Sequence, residues 1–251
     1  MASSKDELLE MIDAIKKTSR PRGLLLNVKK TKVMVVDCFR EDHTDFMLDD
    51  EKIDEVDEFN YLGSLITKDG SCKKEVRRRL ALARTTTLNL AAIWKSRGIS
   101  TSLKTRLLRA TAFAVASYGC ESWVTSKSDR ERIDAFELWA YRRILRVPWT
   151  AKKTNRWVLD TIGSDLVLRK QMAQRKMRFF GHTIRRDGFE KDIIQGAVEG
   201  KRRRRRPASA WFEDIKRWTG LGMAAASRAA LDRDLWRELV GTTAALFAPP
   251  D

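Results

Sequence analysis

Apolar residues recur along this chain at two different periods, and the place where the period changes is where the architecture is expected to change. Ser4-Lys5-Asp6-Glu7 reads as a capping box, and Leu8, Met11, Ile12 and Ile15 follow three and four apart, which predicts a helix from Lys5 to about Arg20, ended by Pro21 and Gly23. The next stretch, GLLLNVKKTKVMVV from Gly23 to Val36, alternates apolar and polar positions and predicts a strand. Phe46-Met47-Leu48, a turn at Asp49-Asp50 and a second extended piece from Val56 to Tyr61 complete a small helix, strand and hairpin region.

From Cys72 the pattern turns to long helical periods. Between Lys73 and Trp94, Val76, Leu80, Ala83, Leu90 and Trp94 fall inward and Lys73, Lys74, Arg77, Arg78 and Arg84 fall on other faces, so one side packs while another is strongly positive. Thr101 to Tyr118 is apolar around much of its circumference, through Leu103, Leu107, Ala110, Ala114 and Val115, and reads as the buried helix of a bundle ending at Gly119. Ser128-Asp129-Arg130-Glu131 repeats the capping-box pattern before Ile133, Phe136, Ala140 and Ile144, with Pro148 as the stop. Shorter helices are predicted from Thr154 to Ile162, before Gly163, and from Leu166 to about Arg186. The run KRRRRRP, Lys201 to Pro207, is the clearest linker, since adjacent like charges resist packing. Beyond it lie one amphipathic set, Trp211, Phe212, Ile215 and Trp218, and a last helix carrying Leu231, Leu235 and Trp236. The fold class expected from these patterns is mainly α with a small β remnant, divided into residues 1–70, 71–150, 151–200, the linker 201–207 and the helices of 208–251.

Composition narrows the function. Hydrophobic residues at 43% exclude wholesale disorder, while 33% charged residues and a net charge of +16 call for a polyanionic partner. The charge is uneven. Residues 1–70 carry 11 basic against 16 acidic side chains, and residues 71–251 carry 39 against 18, so the later part holds a net +21. Clustered Lys and Arg bind nucleic acid by releasing condensed counterions, which is sequence-independent and salt-sensitive. Cys38, Cys72 and Cys120 stand apart from one another and from His43 and His182, so no metal-ligand spacing appears, and three scattered cysteines suit a reducing compartment. No stretch approaches the ~18 apolar residues of a membrane span, and no membrane partner is expected. The eight tryptophans all lie from residue 94 onward, where on helical stripes they read mostly as core.

Five segments occur in a fixed order: GLLLNVKKTKVMVV at Gly23–Val36, FNYLGSLITKDG at Phe59–Gly70, YGCESW at Tyr118–Trp123, RKMRFFGHTIRR at Arg175–Arg186 and EGKRRRRRPASAWFEDIKRWTG at Glu199–Gly220. Together they resemble the carboxy-terminal half of the reverse transcriptase of LINE-type (non-LTR) retrotransposons, nearest to RTE-like elements, over Ser4 to about Val240. The resemblance implies a palm tail, a helical thumb bundle and a basic helical tail. Gly23, Leu24, Asn27, Lys30 and Thr31 match the palm motif that follows the catalytic aspartates, which places Lys30, with Lys29 and Lys32 beside it, near the incoming triphosphate. An ammonium there can offset charge developing on the leaving pyrophosphate. Phe59, Tyr61, Leu62, Gly63 and Ser64 match the primer-grip hairpin, where a small residue lets the backbone approach a sugar–phosphate chain. Lys73, Lys74, Arg77, Arg78 and Arg84 then face the template–primer duplex, and Lys201, Arg202, Arg203, Arg204, Arg205 and Arg206 serve phosphate binding, nuclear import or both.

In the resembled family the metal-holding aspartates stand in segments before the helix at Lys5. This sequence is therefore expected to be a catalytically inactive fragment of an RNA-directed DNA polymerase that retains non-specific RNA or DNA binding. It is expected to hold no cofactor of its own, Mg2+ belonging to an intact relative. Asp49-Asp50 follows the Asn-x-x-Lys-Thr pattern rather than preceding it and reads as an ordinary acidic turn. His182 lacks a nucleophile motif beside it and reads as a structural histidine at a helix end. The Gly23–Val36 strand, without the sheet partners of an intact palm, is expected to offer an open edge for self-association. Two other readings compete: a subunit that complements a separate palm to restore polymerisation, and a host-adopted helical module that binds another protein. Nuclear localisation is expected from Lys201–Arg206, with the cytoplasm as the alternative.

Overall fold

The computed structural model describes residues 2, 4–36, 46–48, 51–197 and 211–242. It is 67% helical and 8% strand, a mainly helical protein with a small sheet, as the periodicity predicts. Contacts divide it into two compact units, Met1–Ser71 and Cys72–Asp251.

In the first unit, helix α1 (Lys5–Ser19) starts where its cap predicts, with the Ser4 hydroxyl accepting from the Glu7 amide at 3.1 Å. Asp6 and Glu7 in its first turn and Lys16 and Lys17 in its last complement the helix dipole. Its Leu8 and Ile12 lean on a small core of Val33, Phe46, Leu48 and Ile53. That core belongs to a three-stranded sheet of β1 (Lys32–Val33), β2 (Phe46–Leu48) and β3 (Glu51–Glu55), in the order β1-β3-β2. β1 runs parallel to β3, and β2 antiparallel to it. A separate hairpin pairs β4 (Glu58–Tyr61) with β5 (Ser64–Thr67).

The long strand predicted over Gly23–Val36 is corrected here: only Lys32 and Val33 pair. The reason is local. The Asn27 side-chain oxygen accepts from the Lys30 amide at 3.1 Å and winds Val28–Lys30 into a single 3-10 turn, so the side chain competes successfully with a ladder. Leu24 and Leu25 are consequently left 64% and 79% exposed rather than on a sheet face. β1 does lie at the edge of its sheet, as the self-association expectation requires, but it is two residues long. The expected turn at Asp49-Asp50, together with Cys38 and His43, lies outside the described residues.

The second unit is built of helices. α2 (Lys73–Asn89) stops short of the predicted Trp94 and is followed by α3 (Ala91–Lys95). Thr85, Thr86 and Thr87 each bond back to the carbonyl four residues earlier, and the Trp94 indole N–H takes the Thr87 carbonyl at 2.7 Å, folding the chain over at Leu90. The helical stretch from Thr101 comprises α4 (Thr101–Leu108), a π-turn over Arg109–Phe113 and α5 (Ala114–Ala116). Its buried stripe is Lys104, Thr105, Leu108, Ala112, Phe113 and Ala116, not the expected Leu103, Ala110 and Ala114: Leu103 already faces outward in α4, before the π-turn. Lys104 is buried because its ammonium donates to the carbonyls of Trp94 at 2.9 Å and Ser96 at 2.6 Å, closing the C-terminus of α3.

α6 (Lys127–Leu145) begins two residues earlier than predicted. The reciprocal box is Ser126 with Asp129, not Ser128 with Glu131. α7 (Asn155–Ile162) is capped by Thr154 and ended by Gly163 in the left-handed region, as read from the sequence. α8 (Leu168–Ile184) then forms the spine of the unit: its first half packs through Leu168 and Met172 into the core of Val76, Leu108, Phe113, Ile133, Phe136 and Tyr141. Its second half packs through Met177, Phe180 and Ile184 into a second core with α10 (Trp211–Thr219), α11 (Met223–Leu231) and α12 (Arg233–Thr242). α9 (Phe189–Gln195) lies between.

α8 has no side-chain cap of its own. Glu137 of α6 supplies one from across the core. Its fully buried carboxylate accepts from the amides of Val167 at 2.8 Å and Leu168 at 2.9 Å and from the Tyr141 hydroxyl at 2.7 Å. Burial pushes this carboxyl above its ordinary pKa, and the bonds from Val167, Tyr141 and Leu168 pull the other way.

Candidate nucleic-acid interface

The candidate binding residues fall in both units. Lys30 ends the 3-10 turn set by Asn27 and is exposed, as is Lys29. Lys32 on β1 is instead engaged with Asp54 on β3, and that ion pair holds the Asp54 carboxyl below its usual range. The three lysines that the sequence groups together are all exposed, and among the described residues Lys32 alone of the three is paired with a carboxylate of the sheet.

The second matched segment is a tight hairpin. Phe59 pairs with Ile66 and Tyr61 with Ser64 across the ladder, so one face carries Phe59, Tyr61 and Ile66, exposed at 41%, 56% and 39%. The connection is two residues, Leu62 at φ 47° and Gly63 at φ 81°. Two successive positive φ values define the turn whose twist suits a hairpin. Gly63 meets that requirement at no steric cost, and Leu62 meets it under strain of about 1–3 kcal/mol. The glycine is therefore required by the turn itself. An aromatic face beside such a turn can stack on bases.

The predicted basic face of α2 divides in two. Lys73, Arg77 and Arg84 fall on one exposed stripe at i, i+4 and i+11, with Lys74 at its flank, alongside the buried arc of Val76, Leu80 and Ala83. Arg78 leaves that set, because its guanidinium donates to both carboxylate oxygens of the buried Glu75, at 2.7 and 3.1 Å. Arg79 joins the same carboxylate at 2.8 Å and lies over the Tyr118 ring at 4.2 Å. Two arginines on one buried carboxylate make this pair of residues part of the scaffold.

Sequence reasoning missed how the stripe continues. Arg84 and Arg143 of α6 both lie over the Trp139 ring, each 5.4 Å from its centroid, which carries the positive surface from α2 across to α6. The signal was present in the i, i+4 spacing of Trp139 and Arg143, which places a cation beside an aromatic on one helix face. His182 is exposed in the last turn of α8, the helix-end position expected of it. Lys201, Arg202, Arg203, Arg204, Arg205 and Arg206 lie outside the described residues.

Among the described residues no helix is long and apolar enough to cross a membrane. Nor do three His, Cys, Asp or Glu side chains among them gather as a group that could hold a metal ion. Compared with protein-family models, curated proteins and solved structures, the chain matches none.

Proposed function

We propose that this chain is a non-catalytic, retrotransposon-derived reverse-transcriptase fragment that holds RNA or DNA, in the manner of a thumb on a template–primer duplex. The observation that carries the reading is the net +21 of residues 71–251 together with Lys73, Arg77 and Arg84 aligned on one exposed stripe of α2. Cations in a row at helical spacing meet successive phosphates of a duplex backbone, and such contacts give affinity without sequence readout. On this reading Phe59, Tyr61, Leu62, Gly63 and Ser64 approach a primer strand, and Lys30 stands where a triphosphate would arrive in an intact relative. Lys201–Arg206 adds electrostatic attraction and directs the protein to the nucleus. Lengthening a primer needs carboxylates that hold paired metal ions, which the resembled family places in segments other than those matched here, so no extension is expected.

The test is paired. A Lys73→Glu/Arg77→Glu variant is titrated against a labelled RNA·DNA hybrid by fluorescence anisotropy, and the wild-type chain is incubated with primer, template, nucleotides and Mg2+ or Mn2+. The expected results are an affinity loss of tenfold or more in the variant and no extension above background. Unchanged affinity in a folded variant refutes binding through α2, and template-dependent extension refutes the non-catalytic assignment.

A further inference from the structure

Within the second unit, α6, α8, α10 and residues 120–125 line a half-open cavity of about 270 Å³ that shares no residue with the α2–α6 stripe. Arg130 of α6, Arg169 and Lys176 of α8 and Arg217 of α10 line it, with Asp214 as the one carboxylate among them. Lys176 is 2% exposed, held by the Trp123 carbonyl at 2.8 Å and Asp214 at 2.7 Å, and lies 4.7 Å from the Trp211 ring. Asp214 also takes Arg217, and Asp134 lies 3.2 Å from the Arg169 guanidinium. The nearby Asp129 is already engaged by Arg132 and Ser126. Four cations against Asp214 and Asp134 leave an excess of two positive charges around the cavity. Arg130 donates to the Thr125 carbonyl at 2.9 Å; burial chiefly lowers its pKa, Arg217 and Arg169 add to that, and Asp214 and Asp129 oppose it.

The remaining walls are mostly apolar, with Trp123, Ile133, Met172, Ala173 and Trp218 beside Cys120 and Thr125. Indole and thioether surfaces favour a flat, polarisable group. Guanidinium groups arriving from three helices suit an anion with several terminal oxygens. A phosphomonoester carries about −1.5 to −2 near neutral pH, which matches the excess, whereas a carboxylate or an internal phosphodiester carries only −1. The volume admits one small ligand and not a continuous strand.

We propose that this cavity binds a phosphomonoester attached to a nucleoside, either a free 5′-mononucleotide or the phosphorylated end of a nucleic-acid strand. The site does not depend on the retroelement reading, and a protein that fails to bind duplex through α2 can still bind here.

The experiment follows the fluorescence of the full chain, with calorimetry as a second readout, while adenosine 5′-monophosphate, adenosine or inorganic phosphate is added. The monophosphate is expected to bind at least tenfold more tightly than either half alone, and Arg130→Gln is expected to remove most of that advantage while circular dichroism stays unchanged. Arg217→Gln, at the half-exposed rim, repeats the test if Arg130→Gln does not fold. Twelve-nucleotide strands with a 5′-phosphate or a 5′-hydroxyl, compared at high salt, separate the sources. Preference for the phosphorylated strand assigns the strand end, and no preference alongside monophosphate binding assigns the free nucleotide. Monophosphate binding no tighter than that of phosphate or adenosine, or binding indifferent to both arginines, overturns the proposal.

Discussion

Replacing Gly181 by alanine puts the packing of the second core to a quantitative test. In an isolated helix this exchange stabilises by roughly 1 kcal/mol, because glycine loses more backbone freedom on folding. Here a Cβ on residue 181 would lie 2.5 Å from Cδ1 of Trp236 and against its Nε1. Trp236 has little room to withdraw: it is 3% exposed, its ring centroid is 5.3 Å from that of Phe180, and its indole N–H donates to the Met177 carbonyl at 2.9 Å. Overpacking costs about 1–3 kcal/mol, and parting a buried donor from its acceptor about 1–3 more. Against the propensity gain, the net loss is about 1–5 kcal/mol. Urea unfolding followed by tryptophan fluorescence measures it, and since every tryptophan lies from residue 94 onward the signal reports on the second unit alone. Gly241→Ala in α12, where nothing stands within 4 Å of the added Cβ, is the control and is expected to be neutral or mildly stabilising. A Gly181→Ala variant as stable as the wild type would refute the reasoning.

Three further outcomes are expected. Glu137→Leu strands the amides of Val167 and Leu168 and the Tyr141 hydroxyl; three donors at about 1–3 kcal/mol each, less the carboxylate's own desolvation cost, give a loss of about 2–4 kcal/mol in the same urea assay, and a loss below about 1 kcal/mol contradicts the cross-core cap. Leu62→Asn relieves the positive φ in the hairpin turn and is expected to slow amide hydrogen exchange in β4 and β5, by an amount reflecting about 1 kcal/mol; faster exchange speaks against the strain. The Cys120 thiol, buried and with its pKa pushed up to about 12 chiefly by burial, holds almost no thiolate at about pH 8, so iodoacetamide should leave it unmodified in the native protein and alkylate it in urea. Equal labelling in both states, read by mass spectrometry, would show that the residue is accessible.

What could be read from the sequence was what is local. Ser4, Thr154 and Gly163 mark helix ends because a cap needs only its own first or last turn, whereas the helix expected to end at Gly119 stops at Ala116. The basic stripe of α2 followed from the 3.6-residue period, and even the loss of Arg78 and Arg79 to Glu75 is written in their i+3 and i+4 spacing. The Gly23–Val36 strand failed because one side-chain bond from Asn27 outweighs an alternating pattern that has little sheet to join. The buried ions were illegible for another reason. Glu137 meets Val167 thirty residues later, and Lys176 meets Asp214 thirty-eight later, so these charges read as surface until the helices are packed. The cavity is of that kind. Arg169, Met172, Ala173 and Lys176 share one face of α8, but the cations that complete the site come from α6 and α10.

If the molecule holds nucleic acid through its positive surface, as proposed, counterion release must set the salt dependence of its binding. Such binding is tested most directly by the affinity of the intact chain for an RNA·DNA hybrid measured across a range of salt concentrations. Neutralising several phosphates predicts a straight log–log plot with a slope steeper than about −3, and the same affinity for unrelated sequences. A slope flatter than about −1, or binding confined to one sequence, would contradict the account.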